Sequence, residues 1–61
     1  MRALEHRLRD NPNDAVAWNM RGVLLAQEGE YGEALRCLDH ATRLQPTFVE
    51  AHVNRGRVLL A

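Results

Sequence analysis

The segment Ala17-Trp18-Asn19-Met20-Arg21-Gly22-Val23-Leu24-Leu25 returns as Ala51-His52-Val53-Asn54-Arg55-Gly56-Arg57-Val58-Leu59, displaced by 34 residues. Ala, the Arg-Gly pair and the final Leu are identical in both copies, and Leu24 answers to Val58. Pro12 and Pro46 lie at the same displacement, each closing a stretch of helical periodicity. A period of this size belongs to architectures that stack one supersecondary unit on the next, where no unit buries its apolar face alone.

Caps and breakers divide the chain into four predicted helices, near 1–10, 15–27, 31–44 and 49–61. In the first, Leu4 and Leu8 share a face and Glu5 and Arg9 stand at the favourable i,i+4 spacing. Asn11-Pro12-Asn13-Asp14 reads as a turn, with Asn13 or Asp14 free to cap the second helix. Gly29 supplies a left-handed stop for that helix, and Pro46 ends the third. Thr47 and Glu50 have capping-box spacing ahead of the fourth. No stretch alternates with period two, so the expected fold class is all-α.

The helices differ in how many sides are apolar. The third carries Tyr31, Ala34, Leu35, Leu38, Ala41 and Leu44 along one stripe, opposed by Arg36, Asp39, His40 and Arg43. It has one face to bury. The second has Trp18, Gly22 and Leu25 on one side and Val16, Met20 and Val23 on another, with Ala17 and Leu24 between. Such a helix requires neighbours on several sides. Gly22 and Gly56 stand inside helices, where each costs about 1 kcal/mol relative to Ala. Close approach of another backbone at each glycine is the packing reason, and the small Ala34 and Ala41 fit it.

These residues resemble the tetratricopeptide repeat, a 34-residue helix-turn-helix unit with the pattern W-x2-L-G-x2-Y, A-x3-F and a closing Pro. With the repeat placed at 15–48, Trp18, Gly22 and Leu25 fall on the first part of the pattern. Ala34, Leu38, Ala41 and Pro46 fall on the rest, with Leu38 in an aromatic position. Gly29 and Tyr31 resemble the turn between the two helices. Arg21 departs from the expected leucine, and Arg55 repeats the departure; their guanidinium groups are expected to reach solvent along the aliphatic stem. The resemblance implies an antiparallel helix-turn-helix α-solenoid in a single 61-residue domain. Residues 1–14 are then the second helix and linker of one repeat, 15–48 a full repeat, and 49–61 the first helix of another. Arrays of this kind usually need about three repeats and polar caps. The chain therefore reads as an excerpt of a longer array, or as a module whose open ends pair with other copies.

The resemblance also implies a function: a protein-protein interaction scaffold that binds a peptide or partner helix on the concave face lined by first helices. Position by position, that face is Val16, Asn19, Met20, Val23, Ala26 and Gln27, continued by Glu50, Val53, Asn54 and Arg57. An apolar ligand side chain followed by an acceptor or carboxylate for Arg57 suits this order. The other reading of Val16, Met20 and Val23 is packing against further helices. Asn54 occupies an asparagine position of the family's carboxylate clamps, but Val23 and Asn19 do not match the preceding pair, which argues against a clamp. The alternative function is self-association, in which uncapped helical ends such as Leu59 and Leu60 form a homo-oligomer.

Other classes find little support. Eight arginines and no lysine face eight acids, interspersed and with zero formal charge, so there is no basic stripe for nucleic acid. No apolar run approaches the roughly 20 residues of a membrane span, and the charged N-terminus is not a signal peptide. Cys37 is the only cysteine, read as a small, partly buried side chain; a reducing cytoplasmic setting is the expectation. Cys37 and His40 share a face and His52 follows on the next helix, too few donors for a metal site. His40 reads as a surface residue, and His52 as a packing replacement for the tryptophan. No nucleophile elbow, phosphate loop or zinc-protease motif occurs. The chain is read as a non-enzyme without metal or cofactor.

Overall fold

The computed structural model describes the backbone of residues 2–61 and the side chains of residues 3–61. Four helices follow one another: α1 (Arg2–Asp10), α2 (Ala15–Gln27), α3 (Tyr31–Leu44) and α4 (Val49–Leu60). The expected start of the first helix at Met1 lies outside the described residues. No strand occurs among the described residues, and the antiparallel all-α hairpin arrangement expected from the sequence is what forms.

Local chemistry sets the ends. Asp14 caps α2, its Oδ1 accepting from the Ala17 N–H at 3.1 Å. At the other end Gly29 takes φ +82. There the Glu30 N–H donates to the Leu25 carbonyl at 2.9 Å and the Gly29 N–H to that of Ala26 at 3.1 Å. That pair of bonds is a Schellman stop, which satisfies carbonyls the helix would otherwise leave open. The capping box expected for α4 does not form. A turn from Gln45 to Phe48, with the Phe48 N–H on the Gln45 carbonyl at 3.0 Å, makes Phe48 the residue before the helix, without a side-chain cap. Thr47 lies one position too early for the reciprocal bonds.

The loops that precede α2 and α4 are built alike. The Trp18 Nε1–H donates to the Pro12 carbonyl at 2.7 Å. The His52 Nε2 lies 2.8 Å from the Pro46 carbonyl. A carbonyl only accepts, so Nε2 carries the proton in that pair. His52 is exposed, so it replaces the tryptophan by this bond rather than by packing. Trp18 itself is only half-buried. It lies against the Leu4, Leu8 and Ala17 cluster with one ring edge on His40, centroids 4.5 Å apart.

The core is made mostly of small side chains. Ala17, Ala34, Ala41 and Ala51 have no exposed surface, and Leu38 is the largest side chain to be fully enclosed. Leu38 touches α2 at Gly22 and clusters with Val58 of α4. A Cβ built on Gly22 would stand 2.7 Å from Leu38 Cγ and 3.2 Å from the Ala34 carbonyl oxygen, so the close approach read from the sequence is real. At Gly56 it is absent: a Cβ there meets nothing within 4 Å. The difference has a simple cause, since α3 covers this side of α2 and no described helix covers the same side of α4. As its several apolar sides required, α2 touches α1, α3 and α4.

The arginines of the repeated Arg-Gly pair take different paths. Arg55 pairs with Asp39 at 2.5 Å in a half-exposed contact, worth about 0–1 kcal/mol. Arg21 does not simply reach solvent. Its guanidinium lies 5.9 Å from the centre of the Trp18 ring, near the outer limit of a cation–π contact, and its Nε is buried without a partner. Cys37 is buried more fully than expected, at 3% exposure. Burial pushes its thiol pKa up, so the sulfur stays protonated.

Two predictions follow from this packing. Gly22→Ala is expected to lose a net 1–2 kcal/mol or so, crowding outweighing the gain in helix propensity. Gly56→Ala is expected to gain up to about 1 kcal/mol, because the helix gains propensity and nothing is crowded. Urea unfolding of both in dilute solution checks this, and a stabilised Gly22→Ala would contradict the contact. The second concerns Asp14, whose carboxylate takes the Arg7 Nε–H at 2.5 Å. That bond, then the one from Ala17, holds its pKa below the ordinary 3.8. A lowered folded pKa gives stabilisation that is complete above the ordinary value and lost as pH falls through the lowered one. Asp14→Asn keeps a capping oxygen but no charge, so its melting temperature should fall less steeply than the parent's between roughly pH 5 and pH 2.

Candidate functional site

Helices α2 and α4 lie side by side, and the trough between them is where the sequence places its binding face. The trough consists of two hollows. One, of about 250 Å³, is lined by Val23, Gln27, Asn54 and Arg57, with Leu38 and Val58 at its floor. The other, of about 240 Å³, is lined by Asn19, Met20, Val23, Leu24 and Glu50. Val23 belongs to both and joins them. Eight of the residues named from the sequence thus meet in one surface feature: Asn19, Met20, Val23, Ala26, Gln27, Glu50, Asn54 and Arg57. Val16 and Val53 line neither hollow and stand exposed beside them.

Each side chain's position follows from helical period and repeat offset. On α4, Ala51 and Val58 turn into the core. Glu50, Asn54 and Arg57 then fall a quarter turn away, on the flank toward α2. On α2, Met20 and Val23 fall on the corresponding flank, and Met20 is 44% exposed. Asn19 behaves differently from its neighbours in the list. It is 4% exposed, and its Oδ1 accepts from the Asn54 Nδ2 at 3.0 Å. The bond joins α2 to α4, so Asn19 contributes by fixing Asn54 in the trough rather than by presenting its own amide.

The charges at the trough are separated. Glu50 and Arg57 stand two turns apart along α4, one at each hollow, and neither has an ion-pair partner among the described residues. The result is an apolar middle (Met20, Val23) with a carboxylate toward one end and a guanidinium toward the other. Among the described residues no three His, Cys, Asp or Glu side chains converge to hold a metal. No described helix is long and apolar enough to cross a membrane. The sequence reading missed Leu24, Leu38 and Val58 as lining residues. It assigned Leu38 to the core of the hairpin, and only the spacing between α2 and α4 reveals that its edge is also the trough floor.

The asymmetry of the asparagine pair yields a prediction. Asn54→Ala strands a buried acceptor and is expected to cost about 1–3 kcal/mol, whereas Asn19→Ala leaves a half-buried amide that water can reach and costs about 1 kcal/mol. Thermal melts of the two variants test the order; the reverse order would mean that Asn19 does not depend on Asn54 for its hydrogen bond.

Comparison with known proteins agrees with this architecture. The family model described as Tetratricopeptide repeat matches residues 15–48. The chain is 42% identical over 50 residues to the peroxisomal targeting signal receptor of Saccharomyces cerevisiae, a match covering 82% of this chain and 8% of that protein. Its counterpart in Candida albicans is 42% identical over 45 residues, 74% of this chain and 8% of that protein. The mouse protein O-mannosyl-transferase TMTC3 is 40% identical over 50 residues, 82% of this chain and 5% of that protein. The chain thus spans less than a tenth of the length of these relatives. No solved structure matches it. With its matched repeat and its hairpin of helices, the chain belongs to the tetratricopeptide-repeat family of protein-interaction scaffolds.

Proposed function

We propose that the chain binds an extended peptide or a partner helix in the trough between α2 and α4. The observation that carries this reading is the coincidence of shape and chemistry there: two joined hollows with an apolar middle, bounded by Glu50 and Arg57, neither ion-paired among the described residues. Peptide recognition needs a pocket for a side chain and fixed polar groups for orientation. Met20 and Val23 offer the first; Asn54, held by Asn19, and Arg57 offer the second. Two of the relatives are named as receptors of a targeting signal and another as a glycosyl-transfer enzyme. A repeat shared by proteins so different supports a general interaction role for this chain rather than a particular cargo. The ligand chemistry that fits best is an apolar side chain next to a carboxylate, the latter reaching Arg57.

Panning a random peptide library on the immobilised chain tests the reading. Peptides pairing an apolar residue with an acidic one should be enriched. Met20→Glu should lose the enrichment, and Arg57→Glu should turn the acidic preference toward basic residues, both variants keeping the helical circular dichroism spectrum. Equal enrichment on all three proteins would sink the trough as the binding site.

A further inference from the structure

The chain repeats an arginine and an acid at one spacing, and only one of the two pairs is joined in the structure. The Arg55 Nε–H donates to Asp39 Oδ1 at 2.5 Å, tying α4 to α3. Thirty-four residues earlier stand Arg21 on α2 and Glu5 on α1. The equivalence of α1 and α3 does not rest on the acid alone. Arg2, Leu4, His6 and Arg9 recur at the same displacement as Arg36, Leu38, His40 and Arg43. Glu5 follows the buried Leu4 as Asp39 follows the buried Leu38. It therefore stands on the flank of α1 that corresponds to the flank from which Asp39 reaches the next helix.

Arg21 instead keeps its guanidinium 5.9 Å from the centre of the Trp18 ring, and its Nε–H is buried without an acceptor. A donor shielded from water and given no acceptor is costly, and a cation–π contact at its outer limit offsets little of that. In α4 the place of Trp18 is taken by the exposed His52, whose ring turns to the Pro46 carbonyl. Arg55 is left to the carboxylate. The other acids near Arg21 are engaged. Arg21 and Glu33 both lie within electrostatic reach of the Cys37 sulfur, but Glu33 faces Arg36 at 3.7 Å. Asp14 takes the N–H groups of Arg7 and Ala17. Glu5 is exposed and has no ion-pair partner among the described residues, so it can turn toward α2 without breaking a contact.

We propose that Glu5 and Arg21 form a second clasp equivalent to Asp39–Arg55, and that Arg21 exchanges between the ring of Trp18 and the carboxylate of Glu5. The structure holds the α1–α2 clasp open and the α3–α4 clasp closed. With both closed, each wall of the trough is tied to the helix before it by the same arginine-to-acid bond. This inference stands apart from what the trough binds. Closing the clasp draws the guanidinium off Trp18, the chain's one tryptophan, so the exchange is visible at that ring.

The test is nuclear magnetic resonance of the arginine Nε–H groups in the 61-residue chain. An Nε–H held by a carboxylate exchanges slowly with water. The parent should show two such signals, assigned to Arg21 and Arg55 by Arg21→Lys and Arg55→Lys, which remove them. Glu5→Ala should abolish the protection at Arg21 and leave that at Arg55; Asp39→Ala should do the reverse. Glu5→Asp, which copies the acid of the second pair, should keep both. Trp18 fluorescence should change in Glu5→Ala and not in Asp39→Ala. In urea unfolding, Glu5→Ala and Arg21→Gln should be coupled by about threefold or more in the folded-to-unfolded ratio. A parent in which Arg55 alone is protected overturns the second clasp. So does an Arg21 signal that survives Glu5→Ala, or one that disappears in Glu33→Ala instead, or the absence of coupling.

Discussion

The seat of Leu38 on Gly22 is the contact on which the remaining packing depends. With no Cβ at Gly22, α3 approaches until Leu38 Cγ occupies the space where that Cβ would be. Leu38 has no exposed surface and also reaches α4 through its cluster with Val58. One side chain therefore fixes the spacing of the hairpin and of the next helix against it. Fully burying a leucine contributes about 1.5–3 kcal/mol, a large part of what a chain this short has available. The alanines with no exposed surface follow from the same closeness. Ala34 and Ala41 on α3, Ala17 on α2 and Ala51 on α4 are small because larger groups would hold the helices apart.

The trough is the functional counterpart of that spacing. Leu38 holds α2 and α4 near enough for Asn19 and Asn54 to bond at 3.0 Å, yet its edge remains at the floor of the larger hollow. A bulkier core residue there would fill the hollow, and a smaller one would let the helices collapse into it. Core and site are two sides of one leucine. Asn19 extends the argument, since a buried polar group must find a partner and the partner it finds is the groove residue Asn54.

How much of this could be read from the sequence depends on whether the signal was local or shared between helices. Helix limits were legible because each is set nearby: Asp14 as a cap, Gly29 as a left-handed stop, prolines after the ends. The 34-residue register placed Trp18, Gly22 and Ala34 without knowledge of their contacts. Thr47 misled because a capping box is only a spacing, and the turn ending at Phe48 shifts the helix start by one residue. The symmetry of the two glycines misled as well. Gly22 and Gly56 are equivalent in sequence, but only the first has a described helix to receive. Arg21 and Arg55 diverge for a similar reason, one meeting Trp18 and the other Asp39. The Asn19–Asn54 bond joins α2 to α4 and is one residue out of the 34-residue register, so neither periodicity nor motif announces it.

Helix α4 is held on two sides by bonds of different kinds, made by consecutive residues. Asn54 turns to Asn19 of α2 and Arg55 to Asp39 of α3. Neighbouring residues of a helix point about 100° apart, so the two bonds resist rotation of α4 in different directions. The first is neutral and sheltered, with Asn19 almost wholly buried. The second is charged and half-exposed. Salt screens exposed charges and leaves neutral bonds alone. Arg57 belongs with the charged set, since a ligand carboxylate would meet it at the edge of the trough. Met20 and Val23 belong with the neutral set. As salt rises, the Arg55–Asp39 tie and the preference for an acid at Arg57 therefore weaken together, while the asparagine pair and the apolar middle keep the trough its shape and its attraction for an apolar side chain.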